Sequence, residues 1–210
     1  MKIISPSFDI RGPIDGEVML KRIEEAGRTC YKSEDKITEG SARKFVKMVI
    51  DRKHYSVLEH ESISVRVICD RGVTHEWVRH RLGSYSQEST RFCDYSTEKF
   101  GREITVIKPW FWAEDSAKYR EWKEHLQRTE NVYFYLLELG ATAQEARSVL
   151  PNSLKTEIVV TFNLRQWRHF FALRAAKNAH PQMREIAIPM LAAFRKLVPI
   201  IFDDVGMEDQ

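Results

Sequence analysis

Between residues 62 and 69 the chain alternates, with Ile63, Val65, Val67 and Cys69 set against Ser62, Ser64, Arg66 and Ile68. A period of two sends successive side chains to opposite faces, so this stretch predicts a strand with one well-buried face. Residues 156–162 are β-branched and predict another strand, and 92–96 and 103–107 predict short ones. Elsewhere the apolar positions recur at helical spacing. Residues 17–28 predict a helix carrying Val18, Leu20, Ile23 and Ala26, with Asp15 as N-cap. A second helix is expected over 41–52, with Phe45, Met48 and Val49 on one face. Others are expected over 72–82, over 115–139 closed by Gly140, and over 142–150 stopped by Pro151. Two more should cover 164–177 and 182–202. Strands and helices mixed in this order place the chain in the α+β class.

Two helical wheels bring in chemistry. On 72–82, His75, Glu76, Arg79 and His80 share one arc, opposite Val73, Trp77, Val78 and Leu82, and Arg81 falls among the apolar residues. On 164–177, Leu164, Trp167, Phe170 and Phe171 form an apolar face with Arg174 in its middle, in line with Asn163. Burying an unpaired guanidinium costs several kcal/mol, so Arg174 should meet a partner that carries or develops negative charge. Between Ile158 and Arg184 there are five Lys or Arg residues and no acid, so that partner comes from elsewhere in the fold or is a ligand. A carboxylate strut, or a stem that carries the head out to water, remains open.

Residues 79–91 read Arg-His-Arg-Leu-Gly-Ser-Tyr-Ser-Gln-Glu-Ser-Thr-Arg. Guanidinium forks, serine hydroxyls and a glutamine amide in one segment suit an anionic, oxygen-rich ligand. A solvated basic turn fits the composition equally. Ser89 reads as an anion binder rather than a nucleophile, since its surroundings are donors. His54, Ser56, Glu59 and His60 cluster ahead of the first strand and can be helix-end residues. Arg147 can complement a helix dipole, and Cys30 reads as a small buried hydrophobe.

Bulk properties exclude several classes. At 210 residues the chain fits one domain, with 43% hydrophobic and 30% charged residues. The net charge of +3 is too balanced for a nucleic-acid coat, although the patches at 79–91 and 165–184 keep a nucleic-acid module as a rival reading. Three cysteines without CxxC or Cys/His spacing suggest neither a disulfide scaffold nor a metal site, and a reducing cytoplasm is the default. The N-terminal stretch lacks the apolar core of a signal peptide, and no apolar run approaches a membrane span. Nine glycines form neither GxGxxG nor a Walker loop. Residues 203–210 hold four acids and no base and should fray.

One arrangement is more specific. Arg79-His80-Arg81, seven intervening residues, Ser89 and then Arg91 resemble the signature of the flavin-dependent thymidylate synthases. Further matches follow in order: Ala-Gly-Arg-Thr-Cys-Tyr-Lys-Ser ending at Ser33, the His54/Ser56/Glu59-His60 group, Ala146-Arg147 to Pro151, Asn163-x-Arg165, and Leu173-Arg174. The resemblance spans roughly residues 28–185. It implies a central, mostly antiparallel sheet flanked by helices, in a homotetramer that binds FAD where subunits meet. It implies reductive methylation of dUMP to dTMP, with 5,10-methylenetetrahydrofolate as carbon donor and NADPH as reductant. Neither nucleic acid nor membrane is an implied partner. Carried over by position, Ser56, Glu59, Arg79, His80, Arg81, Gln87, Asn163, Arg165 and His169 would hold FAD. Glu76, Arg79, Gln87, Glu88, Ser89, Thr90, Arg91, Arg147 and Arg174 would hold dUMP, with Arg174 activating the uracil ring. Ser86, Glu76 and His169 depart from the family pattern, where many or some members carry asparagine, glutamine and asparagine.

Overall fold

The computed structural model describes residues 1–206. Its first strands, β1 (Lys2–Ile4) and β2 (Ser7–Arg11), precede helix α1 (Gly16–Thr29). Asp15 caps α1 as expected, its carboxylate accepting from the Glu17 and Val18 amides at 3.0 and 3.1 Å. The buried face is Met19, Leu20, Ile23, Glu24 and Gly27, so Val18 turns outward. Buried Glu24 is satisfied locally: Arg28 donates to it at 2.8 Å, and so does the Ser41 hydroxyl at 2.7 Å, from the start of α2 (Ser41–Asp51). Cys30, expected to be buried, is exposed just past the end of α1.

Strand β3 (Ser62–Asp70) keeps the alternation read from its sequence, with Ile63, Val65, Val67 and Cys69 buried. It leads into the short helix α3 (Arg71–Trp77), capped by Asp70 through the Val73 amide at 2.7 Å. The helix expected over 72–82 therefore ends at Trp77, and strand β4 (Gly83–Gln87) follows. The wheel drawn through 82 fails with it. Leu82 and Val78 are exposed, whereas His80 is only 4% exposed. Glycine is required at 83, because a Cβ there would overlap the Phe162 ring.

Strand β5 (Thr105–Ile107) precedes the long helix α4 (Ala117–Glu138), which Gly140 closes in the left-handed region at φ 90°. Residues 92–96 form turns rather than a strand, the Phe92 and Cys93 amides both donating to the Ser89 carbonyl. Helix α5 (Ala143–Ala146) and a 3₁₀ turn (Arg147–Val149) lead to strand β6 (Lys155–Asn163). Two helices end the fold, α6 (Leu164–Arg174) and α7 (Pro181–Leu197), each shorter than expected at its C-terminal end.

The strands form a four-stranded sheet in the order β2-β3-β6-β4, and β1 pairs in parallel with β5 from Lys2↔Thr105 to Ile4↔Ile107. Ser64 and Thr161 hydroxyls meet at 2.7 Å, while seven residues later the Arg71 amide donates to the Leu154 carbonyl, so β3 and β6 run in opposite directions. No helix among the described residues is long and apolar enough to cross a membrane.

The chain divides into two compact units. One comprises Met1–Ser7, Val67–Arg79 and Tyr85–Val159. Its core gathers Tyr95, Ile104, Val106, Leu126, Tyr133, Ala146 and Leu154. The other comprises Phe8–Arg66, His80–Ser84 and Val160–Gln210, and its core is aromatic. There Trp167 lies 4.8 Å from Phe162 and 4.9 Å from Phe194, ring centroid to centroid, and its indole N–H donates to the Ile63 carbonyl at 2.9 Å. The expected frayed tail is corrected over its first residues. Asp204 makes a two-pronged ion pair with Arg168 at 2.7 and 2.8 Å, and Val205 is buried. The rest of that tail, 207–210, lies outside the described residues.

Candidate active site

In the second unit α6 organises the chemistry. Asn163 caps the helix, its amide oxygen accepting from the Gln166 backbone N–H at 2.8 Å. That cap fixes where the first turn points its side chains. Buried Gln166 lies with its carboxamide 3.2 Å from His80 Nδ1, and Arg174 donates from Nε to His80 Nε2 at 3.1 Å. His80 also meets Phe170 and His169 edge-on, with centroids 5.2 and 5.7 Å away. Burial, the Arg174 cation and His169 together lower its pKa to about 4. His80 is thus a neutral imidazole near pH 7, and one partner that the wheel did not name for Arg174.

Beside it opens a recess of 720 Å³ lined by Tyr55, Glu59, Leu82, Asn163, Arg165, Arg168 and His169, among others. Four residues of the expected flavin set, Glu59, Asn163, Arg165 and His169, therefore share one cavity. Arg165 is paired with Glu59 at 2.6 Å, and both side chains are about half exposed, so an anionic ligand can displace the carboxylate at small cost. Cations, an amide, a phenol ring and the exposed Leu82 fit a planar heteroaromatic group carrying phosphates. Ser56 faces elsewhere, in a second recess of 560 Å³ with Arg28, Tyr31, Ser33, Arg52 and His54. Arg81 is exposed.

The first unit holds the remaining candidates. Gln87 reaches from β4 to the Thr74 and Thr156 hydroxyls at 3.0 and 3.3 Å. Glu88 accepts from Lys155 at 2.7 Å and from the Tyr95 hydroxyl at 2.9 Å, so its carboxylate is committed to internal partners. Burial lowers the pKa of the Lys155 ammonium, but bonds to Glu88 and Glu157 outweigh it and raise the pKa overall. Burial, then Glu88, push the Tyr95 phenol up. Ser89 Oγ accepts from the Arg91 amide at 3.3 Å, and Thr90 is buried. The Arg91 side chain donates to Gln144 at 3.1 Å. Arg147 lies about one helical turn beyond Gln144, the partner of Arg91, and is exposed. Arg79 is exposed and Glu76 half-buried. Eight of the nine uridylate candidates belong to this unit and Arg174 to the other.

A sequence profile of the family described as "Thymidylate synthase complementing protein" matches residues 17–200. The chain is 34% identical to the flavin-dependent thymidylate synthase of Pyrococcus furiosus, over 88% of its own length and 75% of that protein's. It is 37% identical to the enzyme of that name from Mycobacteroides abscessus, over 96% of its own length and 85% of the relative's.

The chain belongs to the flavin-dependent thymidylate synthase family.

A solved structure of a UMP/dUMP methylase, PolB from Streptomyces cacaoi bound with 5-Br dUMP, aligns with TM-score 0.78 at 23% identity. It covers 97% of this chain and 96% of that one, and the likeness is one of fold. For a flavin-dependent thymidylate synthase, the sequence reading missed Gln166, Arg168, Tyr55 and Gln144, which contact or border the expected residues. Gln166 and Arg168 carried a signal: polar side chains one position from Trp167 on a strongly apolar helix call for buried partners.

Proposed function

We propose that this protein is an FAD-dependent thymidylate synthase that converts dUMP to dTMP. Methylenetetrahydrofolate supplies the carbon and NADPH the reducing equivalents. The working form is a cytoplasmic homotetramer of single-domain chains, whose sites combine residues of different subunits. Support comes first from family membership. The structural observation that carries the reading is Arg174, oriented by the neutral His80 imidazole in the unit that also holds the Asn163–Arg165–His169 recess.

Forming a bond from C5 of uracil requires electron density at that carbon, with negative charge growing on the ring's oxygen and nitrogen atoms. A guanidinium already aimed at those atoms stabilises the charge without reorganising, an effect worth about 3–4 kcal/mol per donor in comparable sites. A bond to a neutral imidazole orients the cation without neutralising it. The Ser89 hydroxyl and the Arg91 and Arg147 guanidiniums would take the nucleotide phosphate, by charge-assisted bonds that hold the base in register. Glu88, tied to Lys155, would shape this segment through its backbone rather than bind an anion directly.

Glu59, Asn163, Arg165 and His169, together with Arg81, would seat FAD, with buried His80 acting behind them through Arg174 rather than on the cofactor directly, and Ser56 would meet another part of it. When bound there, the reduced flavin would supply hydride-transfer chemistry, while these residues position it. The test is direct. Purified protein should carry flavin absorbance and form dTMP from dUMP, methylenetetrahydrofolate and NADPH. A colourless protein that forms no dTMP and binds DNA with steep salt dependence would replace this reading with the nucleic-acid one.

A further inference from the structure

Gln166 has no role in the reaction as described, yet it is buried beside an imidazole that touches Arg174. An Arg Nε carries a hydrogen and can only donate. His80 Nε2, 3.1 Å from Arg174 Nε, must therefore be the bare acceptor nitrogen, and in a neutral ring the proton then sits on Nδ1. An Nδ1–H that is removed from water needs an acceptor. Gln166 lies with its amide nitrogen 3.2 Å from Nδ1, two donors facing each other, and a half-turn of the amide plane presents the oxygen to Nδ1 instead.

We propose that Gln166 is a positioning residue. By accepting from Nδ1–H it holds His80 in the tautomer whose Nε2 accepts from Arg174, and so aims the other guanidinium N–H groups. This rests on the proposed dUMP methylation for its functional consequence, but not for its chemistry. The other tautomer would point an N–H at the Arg174 N–H, and the two donors would repel. The order of the chain supports the relay: the Asn163 cap sets the first turn of α6, which places Gln166, and Arg174 ends the same helix. Among the described contacts, Arg174 and His169 are the charged and titratable groups facing His80, and the Phe162 and Phe170 rings pack beside it. Its environment thus holds the ring neutral, which the relay requires.

Two substitutions in the flavin-loaded enzyme test this. Gln166→Leu removes the acceptor at similar size and should lower kcat for dTMP formation on the order of 10–100-fold per bound flavin, with dUMP KM little changed, turnover being normalised to flavin because Gln166 also lines the recess. Gln166→Glu keeps an acceptor, so it should restore turnover at high pH. The carboxylate would also raise the His80 pKa, and protonation would put a hydrogen on Nε2. Activity of that variant should therefore fall on acidification along a limb absent from wild type. Wild-type kcat in Gln166→Leu would overturn the proposal, as would equal losses in both variants with no new limb. Imidazole ¹⁵N shifts separate this idea from the reaction on which it rests. A His80 Nδ1–H signal lost in Gln166→Leu, in a protein that makes no dTMP, would sustain the relay and end the proposed reaction. A His80 protonated on Nε2 in wild type would end the relay whatever the activity.

Discussion

Arg174 Nε and His80 Nε2 lie 3.1 Å apart although 94 residues separate them in the chain. One residue closes α6 and the other sits in the turn before β4, so their meeting is a product of the tertiary fold. Because burial and the Arg174 cation both disfavour a second proton, His80 should stay neutral down to a pH of about 4. The sign follows: the folded value is depressed, so the stabilisation is fully present above the usual histidine value near 6.5. It is lost as pH falls from there through 4, at no more than about 1.4 kcal/mol per pH unit for one proton. NMR titration of the histidines should find one that resists protonation to that range. A full set titrating near 6.5 would contradict the packing around this ring.

Arg91 follows Ser89 by two residues and bonds Gln144, three residues before Arg147, and both arginines are exposed. If they take the phosphate of the nucleotide, Arg91→Ala and Arg147→Ala should each weaken dUMP binding by about 10–100-fold, the range for a charge-assisted bond. Deoxyuridine, which lacks the phosphate, should bind all three proteins alike. Calorimetry decides, and equal losses for nucleotide and nucleoside would remove the phosphate assignment.

The pair Arg168–Asp204 ties residues 203–206 to α6, and Arg168 also donates to the Ile201 carbonyl. The Arg168 bond, partly offset by burial, holds the Asp204 carboxyl below its usual value, so this contribution is present at neutral pH and lost on acidification. With the Arg168 side chain 10% exposed and Asp204 52% exposed, Asp204→Asn should cost about 1–3 kcal/mol, less than a fully buried pair. Because Asp204, Val205 and Gly206 also line the recess, flavin occupancy should fall as well. Urea unfolding and absorbance test the two effects separately, and an unchanged unfolding midpoint would show that the pair is dispensable.

Gly83 is constrained by Phe162, a buried ring 4.8 Å from Trp167 and 6.1 Å from Phe170, centroid to centroid. Hemmed in by those rings, Phe162 has little room to retreat. Gly83→Ala should cost about 1–3 kcal/mol, as overpacking does elsewhere. A midpoint of thermal unfolding equal to wild type would show that the strand can shift aside.

Much of this could be read before any coordinates. The alternation at Ile63 to Cys69 appeared as β3, and Asp15 and Gly140 mark helix ends where local capping chemistry says they must. Those features depend on neighbours in sequence. Strand β4 does not: Gly-Ser-Tyr-Ser-Gln has no apolar alternation, and its pairing with β6 is what makes it a strand. Extending the preceding helix to residue 82, past its end at Trp77, inverted the reading of His80 and Leu82, exposing the wrong one. Likewise Asp204 looked like part of a solvated tail because its partner, Arg168, lies 36 residues earlier. On α6 the apolar face of Leu164, Trp167, Phe170 and Phe171 was legible, and all four are buried. That face did not reveal Gln166 as a neighbour of His80, because the contact joins elements 86 residues apart.

The central claim is that the guanidinium at the end of α6 stabilises charge on a pyrimidine, and turnover by Arg174→Ala measures it most directly. With FAD bound at the wild-type level, the variant should form dTMP from dUMP at least about 100-fold more slowly than wild type, the loss expected when a preorganised donor is removed. Near-normal dTMP formation by the flavin-loaded variant would contradict the account.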